Sequence, residues 1–75
     1  MEVRAHVLLQ VDPGRSRDAA EYLGALPSVL QASTTCGAYD VIATAEADSE
    51  EALTQMLRLA RRAPGLGALR LCRPA

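Results

Sequence analysis

Val29-Leu30-Gln31-Ala32-Ser33-Thr34-Thr35-Cys36-Gly37-Ala38-Tyr39-Asp40-Val41-Ile42-Ala43-Thr44-Ala45-Glu46-Ala47 is the stretch that decides the fold. Residues 29–36 are rich in small and β-branched side chains, and residues 39–47 resume with Val41, Ile42 and Thr44. Cys36-Gly37-Ala38 reads as a tight connection between them, so the pair is a hairpin. What flanks this hairpin fixes the rest.

On its N-terminal side, residues 4–11 alternate. Ala5, Val7, Leu9 and Val11 form one apolar face, and Arg4, His6, Leu8 and Gln10 form the other. A period of two is a strand. Asp12-Pro13-Gly14 ends it, because Pro fixes φ and Gly tolerates positive φ. Ser16 is positioned to cap a helix, and Ala19, Ala20, Leu23 and Leu26 recur at helical spacing until Pro27 stops it. On the C-terminal side, Asp48 with Glu51 fits a capping box. Ala52, Leu53, Met56, Leu57 and Ala60 make a core stripe, and Pro64-Gly65 ends that helix. Residues 66–72 are a last strand. The expected architecture is α+β, ferredoxin-like βαββαβ: a four-stranded antiparallel sheet with both helices on one face.

Length and composition narrow the function. The chain's 75 residues hold one domain, expected to span 1–75. With Tyr22 and Tyr39 as the only aromatics, the core is aliphatic. A core so small calls for partner chains, and Leu8 on the uncovered sheet face calls for another subunit there. Eight Arg, no Lys and nine acids give a net charge of −1. That excludes a free-standing nucleic-acid binder relying on a positive field. The start of the chain does not read as a signal peptide, and no stretch approaches a membrane span, so a cytoplasmic location is expected, with Cys36 and Cys72 reduced.

Little here points to catalysis. His6 reads as an interface or partly solvated residue, since a general base needs a nucleophile or pocket beside it. Cys36 is a lone cysteine with no activating partner beside it in sequence, and reads as inert. One histidine and two distant cysteines make no metal site, and no cofactor is expected. Arg58, Arg61 and Arg62 fit a solvated helix end, with an acidic partner as the other reading. Gly37-Ala38-Tyr39-Asp40 has two readings. One is a plain hairpin turn with a packed Tyr. The other is a receptor for an α-amino acid: Gly admits a ligand close to the backbone, turn N–H groups hold its carboxylate, and Asp40 meets its ammonium or shapes the loop.

Taken as a set, Ala5-His6-Val7-Leu8-Leu9-Gln10-Val11 followed by Pro13-Gly14, Leu26-Pro27-Ser28-Val29, Cys36-Gly37-Ala38-Tyr39-Asp40-Val41-Ile42 and Ala63-Pro64-Gly65-Leu66 resemble the effector-binding domain of Lrp/AsnC regulators, the RAM module. Full-length members add a DNA-binding helix-turn-helix. Since Met1 leads straight into the first strand, a stand-alone module without direct DNA binding is expected. The resemblance implies dimers with sheets face to face, a ring of dimers (octamer or decamer), and an amino-acid effector between dimers. Gly37, Ala38, Tyr39 and Asp40 carry over as effector-site residues, with Thr34 and Thr35 as neighbours. Arg70 departs from the family's last strand, which often carries threonines, and puts the usual effector in doubt.

The function this implies is transcriptional or metabolic regulation by an amino-acid-binding homo-oligomer, without enzymatic activity. Three other readings stand beside it. ACT domains share the element order but join side by side into one sheet. Small dimeric α+β barrel enzymes, monooxygenase- or isomerase-like, need an enclosed pocket near His6. A ligand-free module would act by co-assembling with full-length regulators.

Overall fold

The computed structural model describes residues 2–74. Its elements run β1 (Val3–Val11), α1 (Ser16–Gly24), β2 (Val29–Thr34), β3 (Val41–Ala47), α2 (Glu50–Ala60) and β4 (Leu66–Cys72). All strand pairings are antiparallel, in the order β2-β3-β1-β4. This is the expected βαββαβ sheet.

The alternation in β1 is what builds the core. Ala5, Val7 and Leu9 are fully buried, and register sets them against Ala45, Ala43 and Val41 of β3. Directly paired residues share a face, so one side of the two central strands is wholly apolar. Ala19 and Leu23 of α1 and Leu53, Met56 and Ala60 of α2 join the same cluster, so both helices lie on that side. The alanines of β3 leave room for the helices to approach closely, and the Tyr22 hydroxyl ties α1 to α2 by donating to Leu59 C=O at 2.8 Å.

Several boundaries differ from the sequence reading. Arg15, not Ser16, takes the N-cap place of α1, with no side-chain cap bond. The 12–14 turn closes through Arg15 N–H to Asp12 C=O at 3.0 Å, which starts the helix early. In α2 the cap is Ser49, whose Oγ accepts from Ala52 N–H at 3.1 Å. A serine one residue further on thus displaces the Asp48 box, while Glu50 and Glu51 keep the first turn acidic. Helix α1 ends at Gly24, two residues before Leu26, and Ser28 takes a left-handed φ of +75° to enter β2. Strand β2 stops at Thr34 and β3 starts at Val41, so Cys36 and Tyr39 belong to a six-residue loop, 35–40, and not to strands or a tight turn.

The opposite sheet face has no helix over it. Register places Arg4, His6, Leu8 and Gln10 there with Glu46, Thr44 and Ile42 of β3 and with Cys72, Arg70 and Ala68 of β4. Gln31 and Ser33 of β2 complete it. Ile42 is 39% exposed, and Leu30, at an irregularity on the β2 edge, is 64% exposed.

Candidate functional site

The 35–40 loop crosses the end of β1 and is held there at several points. Asp40 N–H donates to Leu9 C=O at 2.8 Å, and Asp40 Oδ2 accepts from Val11 N–H at 2.9 Å. The carboxylate does for Val11 what a further backbone carbonyl would do if the β1–β3 ladder continued. Thr35 N–H closes the loop onto Asp40 C=O at 2.9 Å. From the uncovered sheet face, Gln10 Nε2 reaches up to Ala38 C=O at 2.7 Å, and Arg70 Nη1 stands 3.5 Å from the Tyr39 hydroxyl.

These anchors leave the crest of the loop free. Gly37 has φ +122°, a conformation that side chains disfavour, and a Cβ built on it meets nothing within 4 Å. Among the described residues the N–H groups of Cys36, Gly37, Ala38 and Tyr39 enter no backbone bond, whereas those of Thr35 and Asp40 do. The crest of this solvent-facing loop thus keeps donors that no backbone acceptor among the described residues uses.

The sequence-selected residues fall into two groups. Gly37, Ala38, Tyr39 and Asp40 share the loop over β1. Thr34 at the end of β2 and Thr35 at the start of the same loop line an open groove of about 270 Å³ with Gln31, Ser33, Ile42 and Thr44 on the uncovered face. His6 does not line that groove; its Nδ1 shares a 3.3 Å hydrogen bond with Thr44 Oγ1. Sequence reading missed Gln10 as a loop support. Its only signal was a polar residue at the end of β1's uncovered face.

Charge is unevenly placed on that face. At one end Arg4 pairs with Glu46 at 2.8 Å. Hydrogen bonds from Glu2 and from Arg4 hold the Glu46 carboxyl below its ordinary value, and the same bond raises Glu2. At the loop end Arg70 has no carboxylate within salt-bridge distance among the described residues. Among those residues no group of three His, Cys, Asp or Glu is disposed to hold a metal, and both cysteines are free thiols. Among the described residues no helix is long and apolar enough to cross a membrane.

No curated protein matches the chain significantly. Among solved structures, a hypothetical protein from Pyrococcus horikoshii is 28% identical, with a TM-score of 0.87 over 100% of this chain and 90% of that one. The protein FFRP-DM1 is also 28% identical, with a TM-score of 0.87 over 97% and 99% of the two chains. A transcriptional regulator from Neisseria meningitidis, solved as a complex with L-methionine, shares the fold at 16% identity. Its TM-score is 0.79, over 97% of this chain and 49% of that one. The family model of the Lrp/AsnC ligand binding domain matches residues 4–71, and the chain belongs to that family.

Proposed function

We propose that this chain is an amino-acid-sensing regulatory module, one domain over residues 1–75, that acts through its own assembly. The observation that carries this is the loop crest: four N–H groups without backbone partners around a left-handed Gly37, held in place by Asp40, Gln10 and Arg70. A ligand carboxylate takes the donors of Gly37 and Ala38. Asp40 fixes the loop through Oδ2 and leaves its other oxygen to face the ligand ammonium. Tyr39 walls the site, and Thr34 and Thr35 flank it. The L-methionine complex of the Neisseria meningitidis regulator supports an amino acid as the ligand class.

A single loop encloses no ligand, so the site needs a second surface. The uncovered sheet face, with Leu8 and Ile42 at its centre, packs against a second copy to make a dimer, and dimers join in a ring of eight or ten subunits around the loops. A ligand at such a junction favours the assembly that contains it, by mass action. Transcription or metabolism is the process regulated, in the cytoplasm, through co-assembly with full-length regulators or through a partner of its own.

Calorimetric titration with each of the twenty amino acids, alongside sedimentation, tests this. A subset should give heat and raise the sedimenting mass. Gly37→Asp should abolish the heat and leave the dimer intact. A chain that stays monomeric at high concentration, or no heat from any amino acid at millimolar concentration, would overturn the proposal.

A further inference from the structure

The sensing role uses Arg70 only through its contact with the Tyr39 hydroxyl. It sits mid-strand in β4, paired in register with Leu8, so its guanidinium stands over the uncovered face and not at a frayed end. One of its N–H groups meets the Tyr39 hydroxyl at 3.5 Å, a weak contact that leaves most of its five donors free. Among the described residues no carboxylate lies within salt-bridge distance of Arg70, as is also so for Arg17, Arg58, Arg61 and Arg62; of these five, Arg70 is the one that touches the loop. Asp40 does not neutralise it, because its Oδ2 is turned to Val11.

The loop therefore offers two separate anion-binding elements: the backbone donors at Gly37 and Ala38, and a planar cationic fork beside Tyr39. A neutral amino acid uses the first through its α-carboxylate and leaves the second without an anion. A ligand with two carboxylates uses both. We propose that Arg70 sets effector choice toward acidic amino acids, with the side-chain carboxylate on the guanidinium. This rests on the amino-acid-sensing reading above. The physical basis is that a bidentate guanidinium–carboxylate pair is roughly twice as strong as a neutral hydrogen bond, and the isosteric amide cannot form it.

The test compares glutamate with glutamine and aspartate with asparagine by calorimetry, at low and at physiological ionic strength. In the wild-type chain one acid should bind about tenfold or more tighter than its amide, with the margin shrinking as salt rises. Arg70→Gln should bring the pair within about twofold. Arg70→Lys should retain part of the preference, since it keeps charge and loses the fork. Equal affinity for acid and amide in the wild-type chain, or an undiminished preference in Arg70→Gln, overturns the assignment while the sensing reading stands. Silence from all twenty amino acids overturns both.

Discussion

Removing the Asp40 side chain isolates the contact that fixes the candidate site. In Asp40→Ala the Val11 N–H, partly buried at the end of β1, loses its acceptor at 2.9 Å. The backbone bonds of Asp40 to Leu9 and Thr35 remain, so the loop keeps its path and only the side-chain rung is lost. An amide left without a partner in such a place costs about 1–3 kcal/mol, with the lower half expected here because water has partial access. For a domain of this size that is a fall in Tm of roughly 4–8 °C per kcal/mol. Asp40→Asn keeps an oxygen facing Val11 but gives up the charge, so its loss should be about half as large. Urea unfolding at one fixed protein concentration measures both, the fixed concentration being needed because assembly adds to apparent stability. Amide exchange supplies the local readout: Val11 should lose protection in Asp40→Ala while Val7, inside the ladder, keeps it. A stability within about 0.3 kcal/mol of wild type together with unchanged exchange at Val11 would refute the idea that this carboxylate holds the loop.

Gly65→Ala should be among the most damaging small substitutions on the surface. Gly65 has φ +71°, and an added Cβ would lie 2.8 Å from Arg15 Cβ, which is anchored close to the backbone. Left-handed backbone costs a side chain about 1–2 kcal/mol before the clash is added. Gly14→Ala, at φ +83° with nothing within 4 Å, should show the backbone part alone, so equal losses in urea for the two variants would remove the clash from the account. A third expectation concerns pH. Arg73 hydrogen bonds hold the Glu50 carboxyl below its ordinary 4.5. A lowered folded-state pKa means the pair's contribution is present above 4.5 and fades as pH falls through the lowered value. NMR titration should place the Glu50 midpoint below 4.5 in the wild-type chain and near it in Arg73→Gln; coincident midpoints would remove the pairing.

The sheet was readable because its information is local. Alternation in residues 4–11 names the buried face of β1, and the stripe at Leu53, Met56 and Ala60 names that of α2. Cap positions slipped because neighbouring residues compete for one role: Ser49 supplied the acceptor that Asp48 also offers, and the 12–14 turn made Arg15 the N-cap of α1. The loop was only half readable. Gly37 announces a special backbone, but what holds the loop does not lie near it in the chain. Asp40 reaches Val11 across 29 residues, Gln10 reaches Ala38 across 28, and Arg70 reaches Tyr39 across 31. Those distances are closed by the sheet, and no local pattern encodes them.

The same contacts explain why effector binding and assembly belong together in the proposed function. Gln10 and Arg70 are rooted on the uncovered sheet face, yet their tips touch the loop. A second copy laid over that face buries the stems of both side chains and removes water from around the guanidinium, which strengthens its pull on an anion. Under that proposal a ligand on the loop orders the same two side chains before the covering copy docks, and so lowers the entropy lost when it does. Each event lowers the free energy of the other by an equal amount, since coupling between two binding equilibria is reciprocal. The consequence is that affinity for the effector must rise with protein concentration through the range where the chain associates. A sensor whose ligand affinity is flat across that range would have its loop and its sheet face acting independently, against the geometry that joins them.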